Sequence, residues 1–419
     1  MTTLASQKID SVGSDRAAVL DSRIGNVVTG LDNWIEQYGY AGWDPYDIKG
    51  EPFYVNLLRS DEGLPRKALR KIIFTAIENY PFTSRRILGI EPRVNAKAMA
   101  LLALAYLKLH LLTDRGEFLT KHDYCIDWLL SNNHCSHDSY LGWGYPFDWQ
   151  SLVFIPRNTP LCVPTVLAGH ALLDRLEYLD DQSHDVDLNR IKAFLIDGLN
   201  KAYFPENDSV CFSYSPVDDF QVINANLYTA SFLTRYGVVF NDQLCLEIGR
   251  KARRFSLAQQ DNSGSWPYWA STNSVPMARH VDNYHTGIIL QWLRVIADYD
   301  PDSDDIRRPL ALGCDYYRAN LFTADGIPKF SDRKVYPVDI HGAAQALVTF
   351  NYICEDVDPG LVKAVCEFTL SNMYDANGGY FYYRMLSPRR LVKIPYLRWS
   401  QAWMLYGLVN MLEHQGRTS

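Results

Sequence analysis

Apolar positions recur along this chain with the spacing of buried helices. Six strongly apolar helices are predicted, each following a long loop, and they begin near Asn95, Leu161, Val222, Val281, Val338 and Leu397. Their starts lie roughly sixty residues apart, which is typical of a repeated helical hairpin. More polar, amphipathic helices are predicted between them at 188–201, 242–259, 304–319 and 359–372, and further helices at 64–79, 95–112 and 116–130.

This alternation predicts an all-α fold, an (α/α)6 toroid. A helix that is apolar on nearly every side, as 343–352 and 402–411 are, needs neighbours all round, whereas an amphipathic helix can face water on one side. Six of each kind therefore form an inner and an outer ring. The long loops then gather at the amino-terminal ends of the inner helices, where free backbone N–H groups favour anions and a concave surface favours ligands.

Composition sets the class of protein but adds little chemistry. The 419 residues show no linker or change in composition, so one domain is predicted over 16–419, after a poorly ordered tail over 1–15. A net charge of -7 offers no basic face to nucleic acid. No signal peptide or membrane span is indicated, and the eight scattered cysteines are interpreted as free thiols, which favours a cytoplasmic location.

The loops before the inner helices are rich in aromatic and polar residues, which suggests a carbohydrate ligand. Aromatic faces stack on sugar rings, while Asp, Asn and Arg bind hydroxyl and acidic groups. An oligosaccharide or an activated sugar is therefore the expected partner. The candidate binding residues are Trp43, Asp44, Tyr46, Asp47, Trp143, Tyr145, Asp148, Trp149, Tyr214, Asn224, Asn226, Trp266, Tyr284, Tyr336, Arg384, Arg398 and Trp399.

Four residues are the catalytic candidates: Asp282, His285, Asp339 and His341. Each aspartate lies at the start of a predicted inner helix, with a histidine two or three residues later. The two aspartates can equally be helix N-caps, and the histidines hydrogen-bonded structural residues. The recurrence of an Asp/His pair on neighbouring inner helices is what favours chemistry. As surface caps, Asp282 and His285 are expected to be dispensable for folding.

No metal site or cofactor is predicted. His122, His134, Cys135 and His137 lie close in sequence, but their spacing is not that of a zinc site. The glycine-rich fingerprints of nucleotide binding, the GxSxG elbow of esterases and the HExxH motif of zinc proteases do not occur.

Seven short motifs resemble bacterial exopolysaccharide biosynthesis proteins of the VpsJ type. They are GWDPYD at 42–47, WGYPFDWQ at 143–150, FSYSP at 212–216, NANL at 224–227, DNYHTG at 282–287, YPVDIH at 336–341 and RWSQAWM at 398–404. The resemblance covers nearly the whole chain in order. It implies an (α/α)6 fold, a role in making or tailoring surface polysaccharide, and contact with other proteins of that machinery. It does not supply a reaction.

Three functions remain open at this point. In an epimerase or lyase, His285 or His341 would remove a ring proton while Arg384 or Arg398 neutralised a carboxylate. In a glycoside hydrolase, Asp282 would act with Asp339 or Asp148 as a carboxylate pair. A glycan-binding or scaffold protein would use the aromatic cavity without changing a bond. Tyr, His and Arg outnumber Glu in the loops, which favours sugar modification.

Overall fold

The computed structural model describes residues 18–59, 63–272, 279–300, 302–354 and 359–418. The poorly ordered tail predicted for 1–15 lies outside them, and the single domain over 16–419 stays a prediction. Fifteen α-helices occur in the described part: α1 Arg23–Tyr38, α2 Pro52–Arg59, α3 Gly63–Asn79, α4 Pro81–Ile87, α5 Ala96–Thr113, α6 Gly116–Ser131, α7 Cys162–Leu179, α8 Asp185–Ala193, α9 Ile223–Val239, α10 Gln243–Leu257, α11 Asn283–Tyr299, α12 Asp304–Asn320, α13 Ile340–Tyr352, α14 Pro359–Met373 and α15 Ala402–Thr418.

Six of these helices form a closed inner ring, which confirms the predicted (α/α)6 toroid. Helices α5, α7, α9, α11, α13 and α15 each contact the next, and α15 closes the ring on α5. The outer helices α6, α8, α10, α12, α14 and α1 each pack mainly against one inner helix. The inner helices are buried almost throughout, as their apolar sequences require.

Polar caps set where several inner helices begin. The side chain of Asn95 accepts a hydrogen bond from the N–H of Lys97, and Asp282 and Asp339 do the same for His285 and His341. A cap satisfies one of the free N–H groups at a helix start. The predicted starts at Val281 and Val338 are therefore each two residues early, because the aspartate that follows each valine is the cap.

Short antiparallel strands stiffen the loops: β1 Ala41–Gly42, β2 Arg93–Val94, β3 Trp149–Gln150, β4 Phe154–Ile155, β5 Lys201–Phe204, β6 Ser209–Phe212, β7 Val338–Asp339, β8 Tyr374–Asp375, β9 Tyr380–Phe381, β10 Arg384–Ser387 and β11 Arg390–Val392. Strand β10 lies between β11 and β7, and its register pairs Arg384 with Asp339. The loop before the last inner helix is thereby fixed to the start of α13.

Two of the eight cysteines are not free thiols, which corrects the prediction. Cys314 on α12 and Cys354 just after α13 form a disulfide, with their Cα atoms 5.8 Å apart. They are 40 residues apart in the sequence, and only the packing of the two helices brings them together. The other six cysteines are free, and all but Cys135 are buried.

Helix α5 is the one described helix that is long and apolar enough to cross a membrane by composition alone. Its mean hydropathy is 1.4 over 18 residues, and 83% of that stretch is buried inside the protein. A helix of the inner ring needs this composition, because neighbouring helices cover it on nearly every side.

Candidate functional site

The loops at the amino-terminal ends of the inner helices meet in an aromatic layer. Tyr46 stacks on Trp149 at 5.8 Å between ring centroids and meets Trp399 edge-on at 5.2 Å. Trp149 also contacts Tyr145 and Tyr214, whose hydroxyl oxygens are 3.0 Å apart. Five of the ten aromatic residues predicted to bind a sugar therefore lie together in this layer.

Asp282 and His285 form a hydrogen-bonded pair at the start of α11. One oxygen of Asp282 accepts from the backbone N–H of His285 at 3.0 Å, and the other lies 2.7 Å from Nδ1 of its ring. Nε2 of His280 lies 3.2 Å from the same second oxygen. Burial alone would raise the pKa of Asp282, but the two histidines and the N–H group hold that pKa well below its usual range.

This contact prepares the His285 ring for proton transfer. A carboxylate on Nδ1 accepts the Nδ1 proton, which leaves Nε2 on the far side of the ring as the free base. The ring lies between Tyr268 and Tyr284, with centroids 4.4 and 4.1 Å away, and the side chain is 20% exposed. His285 is therefore oriented, partly shielded from water and still accessible to a ligand.

Asp339 is occupied by donors on every side, which favours a positioning role over catalysis. One of its oxygens accepts from the indole N–H of Trp399 at 2.8 Å and from the N–H of His341 at 3.0 Å. The other accepts from the Arg384 guanidinium at 2.7 Å. Asp339 thus ties together α13, β10 and the start of the last inner helix.

His341 is not the partner of Asp339 that the sequence pattern suggests. Only its backbone N–H contacts Asp339, because a side chain two residues after the cap does not turn back towards it as one three residues after does. The ring stacks on Tyr284 at 4.5 Å and contacts Trp399 and Trp403. Neither ring nitrogen has a hydrogen-bond partner among the described residues. Burial and then the nearby Lys97 hold the pKa of His341 well below its usual value, so the ring is neutral at pH 7.

Lys97, on the first turn of α5, is a residue of this region that was not predicted from the sequence. It is 6% exposed, and its Nζ lies 5.1 Å from the centre of the Trp403 ring without a hydrogen bond in the described part of the chain. Burial, and then Arg398, hold the pKa of Lys97 well below its usual value. A lysine two residues after the Asn95 cap, in the otherwise apolar first half of α5, is the sequence signal that could have found it.

Arg398 and Asp44 form a buried ion pair across the ring closure. The guanidinium donates to both oxygens of Asp44, and one of these contacts is 2.7 Å. It also lies 4.8 Å from the centre of the Tyr145 ring. Asp47 is likewise paired with buried Arg85 at 2.8 Å. Both aspartates hold the 42–47 loop in place, which leaves them less free to bind a sugar than the sequence suggested.

Lys49 is a second residue that the sequence reasoning missed. Its Nζ lies 3.7 Å over the Tyr46 ring, at the top of the aromatic layer. Burial and the neighbouring Arg384 lower the pKa of Lys49 to about 7. The layer is thus covered by a cation that loses its charge readily near neutral pH.

A cavity of about 270 Å³ opens beside the Arg398–Asp44 pair. It is lined by parts of the loops at 42–52, 89–95 and 146–157, and it includes the predicted residues Trp43 and Asp148. Asp148 accepts a hydrogen bond from the N–H of Arg157 at 2.7 Å. The predicted binding residues therefore fall into two groups, one in the aromatic layer and one around this side cavity.

Three predicted binding residues are structural instead. Trp143 and Trp266 are almost completely buried, and their indole N–H groups donate to the carbonyls of Leu129 and Ser256. Asn226 is buried and bridges the N–H of Phe212 to α10. A ligand reaches none of them, because helix packing covers them. Asn224, two residues earlier on α9, is also buried, but its side-chain oxygen has no hydrogen-bond partner among the described residues. Tyr336 is half-buried against the core.

The histidines considered as metal ligands have backbone partners. Nδ1 of His122 lies 2.9 Å from the carbonyl oxygen of Ala103, and Nδ1 of His134 accepts from the N–H of Gly144. Among the described residues, no group of three His, Cys, Asp or Glu side chains has metal-binding geometry. These contacts give both histidines structural roles.

No protein-family model matches the chain, and no curated protein does. Solved structures match it in fold. A cellobiose 2-epimerase from Bacillus thermoamylovorans B4167 is 14% identical over 76% of this chain and 88% of its own, with a TM-score of 0.54. A GH76 alpha-mannanase from Bacteroides thetaiotaomicron is 11% identical over 77% of this chain and 86% of its own, with a TM-score of 0.59. A polysaccharide lyase is 11% identical over 97% of this chain and 98% of its own, with a TM-score of 0.57. This likeness shows the (α/α)6 toroid.

We expect Lys97→Met to make the protein more stable at neutral pH. The pKa of Lys97 is lower in the folded chain than in the unfolded one, so protonation favours the unfolded state at every pH below about 10. Methionine removes that penalty, which should raise the free energy of unfolding by about 1–3 kcal/mol at pH 7, with a smaller gain near pH 10. Urea unfolding at the two pH values measures both.

Lys108→Met is the matched control for that change. Lys108 also lies on α5, but its Nζ contacts Glu413 and Asn410, each at 2.7 Å. Its pKa is raised despite burial, because Glu413 favours the charged form. Lys108→Met should therefore lower stability. Loss of stability in both variants would show that Lys97 is a structural residue.

Proposed function

We propose that this protein moves a proton at a carbon of a sugar, as an epimerase or isomerase does. The observation that carries the proposal is the 2.7 Å contact between Asp282 and Nδ1 of His285, which presents Nε2 as a base inside an aromatic site. In the step we propose, Nε2 takes the proton from the carbon next to the carbonyl of an open-chain sugar. The C–H electrons form a C=C bond, and the carbonyl oxygen takes the negative charge.

The protonated His285 can then return the proton to the same carbon, after the enediolate has turned its other face to the ring, or to the neighbouring carbon. In the second case the hydroxyl proton on the first carbon passes to the oxygen of the former carbonyl, so that the step balances. The first outcome is epimerisation, and the second exchanges an aldehyde for a ketone. His341 lies near His285, and Lys97 lies near His341. Neither ring nitrogen of His341 has a hydrogen-bond partner among the described residues, and Lys97 carries N–H donors, so each residue can donate a hydrogen bond to the oxyanion. We assign these two residues to stabilising the intermediate.

The pairing of the two site arginines supports a neutral sugar over a uronate. A uronate needs a cation to neutralise its carboxylate as the carbanion forms. Arg384 and Arg398 already bind Asp339 and Asp44. A substrate carboxylate would have to displace a protein carboxylate from a buried pair, which is costly. A lyase acting on uronates is therefore less well supported.

Hydrolysis by paired carboxylates has less support than proton transfer. A glycosidase needs one carboxyl group that stays protonated near neutral pH. Asp282 has a lowered pKa, and both oxygens of Asp339 are occupied by donors. A non-catalytic glycan-binding role would need the aromatic layer, but it would not need a histidine oriented by a buried carboxylate.

We further propose that the substrate is an oligosaccharide with a free reducing end, used in bacterial surface polysaccharide, because the blocked anomeric carbon of an activated sugar cannot open to a carbonyl. We also propose that the protein acts in the cytoplasm beside other proteins of that machinery. The resemblance to VpsJ-type proteins and the mostly free cysteines support this setting. The reaction proposed above does not depend on it.

The test is a turnover screen of neutral and acidic sugars in deuterated water, read by mass spectrometry. Deuterium entering a carbon of a neutral sugar without cleavage is the expected result. Cleavage without deuterium would replace the proposal with hydrolysis. An unsaturated product from an acidic sugar would replace it with a lyase, and binding without turnover would leave a glycan-binding protein.

A further inference from the structure

Helices α2, α3 and α4 lie outside the two rings, between β1 and β2, and they carry an unusual amount of exposed apolar surface. Fourteen large hydrophobic side chains are exposed in the described part of the chain, and six of these are Phe53, Leu69, Ile72, Tyr80, Phe82 and Ile87. Ile72 is 66% exposed and Ile87 is 78% exposed. Such a concentration in one short segment marks an interaction surface.

One face of α3 is both apolar and turned away from the protein. Ala68, Leu69, Ile72 and Ala76 are exposed, and at 100° per residue they fall within one quarter to one third of the helix circumference. The opposite face carries Phe74, which stacks on Tyr54 of α2 at 4.8 Å. Helix α3 is therefore held to the protein by one apolar face and presents another to solvent.

The same segment is basic, whereas the rest of the chain is acidic. Residues 52–87, which span the three helices, contain seven Lys or Arg and three Asp or Glu, although the whole chain has 41 and 48. One of the seven, Arg85, is buried in its pair with Asp47 and adds no surface charge. Lys71 on α3 and Arg86 on α4 are exposed. Exposed apolar residues beside lysine and arginine are the combination that holds a helix in the headgroup region of an anionic bilayer.

We propose that this surface docks the protein on an anionic membrane, with α3 lying in the membrane plane. Charge complementarity favours this partner over a second copy of the chain. So does size, because a stable dimer interface uses about 20–30 residues on each side and this patch is much smaller. Apolar insertion and electrostatic attraction act together at a membrane, and each alone binds weakly.

Docking at this surface would bring the side cavity near the bilayer. Glu51 and Pro52 at one end of the segment, and Gly89 and Ile90 at the other, line the cavity together with Arg398. The proposal does not depend on the reaction assigned to His285. A sugar carried on a lipid would be presented to this cavity as a ligand and not to His285, because its linkage to the lipid blocks the carbonyl carbon.

The test is sedimentation of the full-length protein with vesicles of phosphatidylcholine alone, or with about one third phosphatidylglycerol. We expect binding to the anionic vesicles only, and weaker binding at high salt. Replacing both Leu69 and Ile72 by serine should reduce the partition coefficient at least tenfold, and Lys71→Gln with Arg86→Gln about fivefold for each charge removed. Failure of the parent protein to bind would overturn the proposal.

Leu244→Ser is the matched control, because Leu244 is 59% exposed on the outer helix α10, away from this segment. It should bind vesicles as the parent does. All these side chains are exposed, so thermal unfolding should be nearly unchanged in every variant. Equal loss of binding in Leu244→Ser would overturn the assignment to this surface. So would a parent protein that forms dimers sensitive to the Leu69 and Ile72 changes without binding vesicles.

Discussion

His285→Ala is expected to lower the rate of deuterium incorporation into the substrate sugar by about 10²- to 10⁴-fold, the usual contribution of a general base. Asp282→Asn should have an effect of similar size. The asparagine oxygen can still accept from the N–H that caps α11, but the charge that fixes the Nδ1 proton of His285 is gone. Both changes should act on kcat more than on KM, because the base acts at the chemical step.

His280→Gln is the matched control for this experiment. Its Nε2 lies 3.2 Å from Asp282, but its side chain is 44% exposed and it is not the histidine that lies between the two tyrosines. The rate should change only slightly. If His280→Gln slowed the reaction as much as His285→Ala, the contacts of Asp282 with both histidines would serve to hold the loop in shape, and Asp282 would not act by orienting a base. If His285→Ala turned over the substrate at the rate of the parent protein, the proposed role of His285 as the base would be wrong.

The stability of the same variants separates an effect on folding from an effect on the reaction. The expectation that Asp282 is a dispensable surface cap is wrong. Asp282 is buried, and its pKa is lower in the folded than in the unfolded chain. The charged carboxylate of Asp282 therefore stabilises the fold at pH values above about 4, its pKa in the unfolded chain. This stabilisation is lost as the pH falls through the lower pKa that Asp282 has in the folded chain. Asp282→Asn should lower stability at pH 7 and flatten its decline in acid.

The fold was predictable because its signals are local and periodic. An inner helix must be apolar almost all round, so Ala96–Thr113 and Ile340–Tyr352 stand out in the sequence, and a polar cap marks where several of the inner helices begin. Helices α2 and α4 were missed because they are only 8 and 7 residues long, too short to show a clear helical periodicity. The Cys314–Cys354 disulfide was missed because its partners meet only through helix packing.

The site was predictable as a region but not residue by residue. Aromatic content locates the loops, yet it does not tell which rings face the ligand: Trp149 lies in the aromatic layer, whereas Trp143 and Trp266 are in the core. The pairing of arginines with aspartates depends on loops far apart in the sequence. The pattern of an aspartate followed by a histidine looks alike at Asp282 and Asp339, and a difference of one residue in spacing gives the two histidines different roles.

Arg398→Met is expected to destabilise the protein by about 3–5 kcal/mol, because it leaves the carboxylate of Asp44 buried without its cation. Adding Asp44→Asn should recover most of this loss. The neutral amide oxygen can still accept from the N–H of Tyr46, which donates to Asp44 at 2.9 Å. Urea unfolding of the parent, both single variants and the double variant measures the coupling between the two residues.

Arg93→Met is the control for that series, since Arg93 lines the same cavity but is exposed and donates only to the carbonyl of Pro146. Its stability should stay within about 0.5 kcal/mol of the parent. The series also tests the choice of substrate. If Arg398→Met unfolds like the parent but no longer binds acidic sugars, the guanidinium is available to a ligand and a uronate becomes the better substrate. If stability falls and returns in the double variant, Arg398 belongs to the structure of the ring closure, and a neutral sugar remains the substrate that this site can accept.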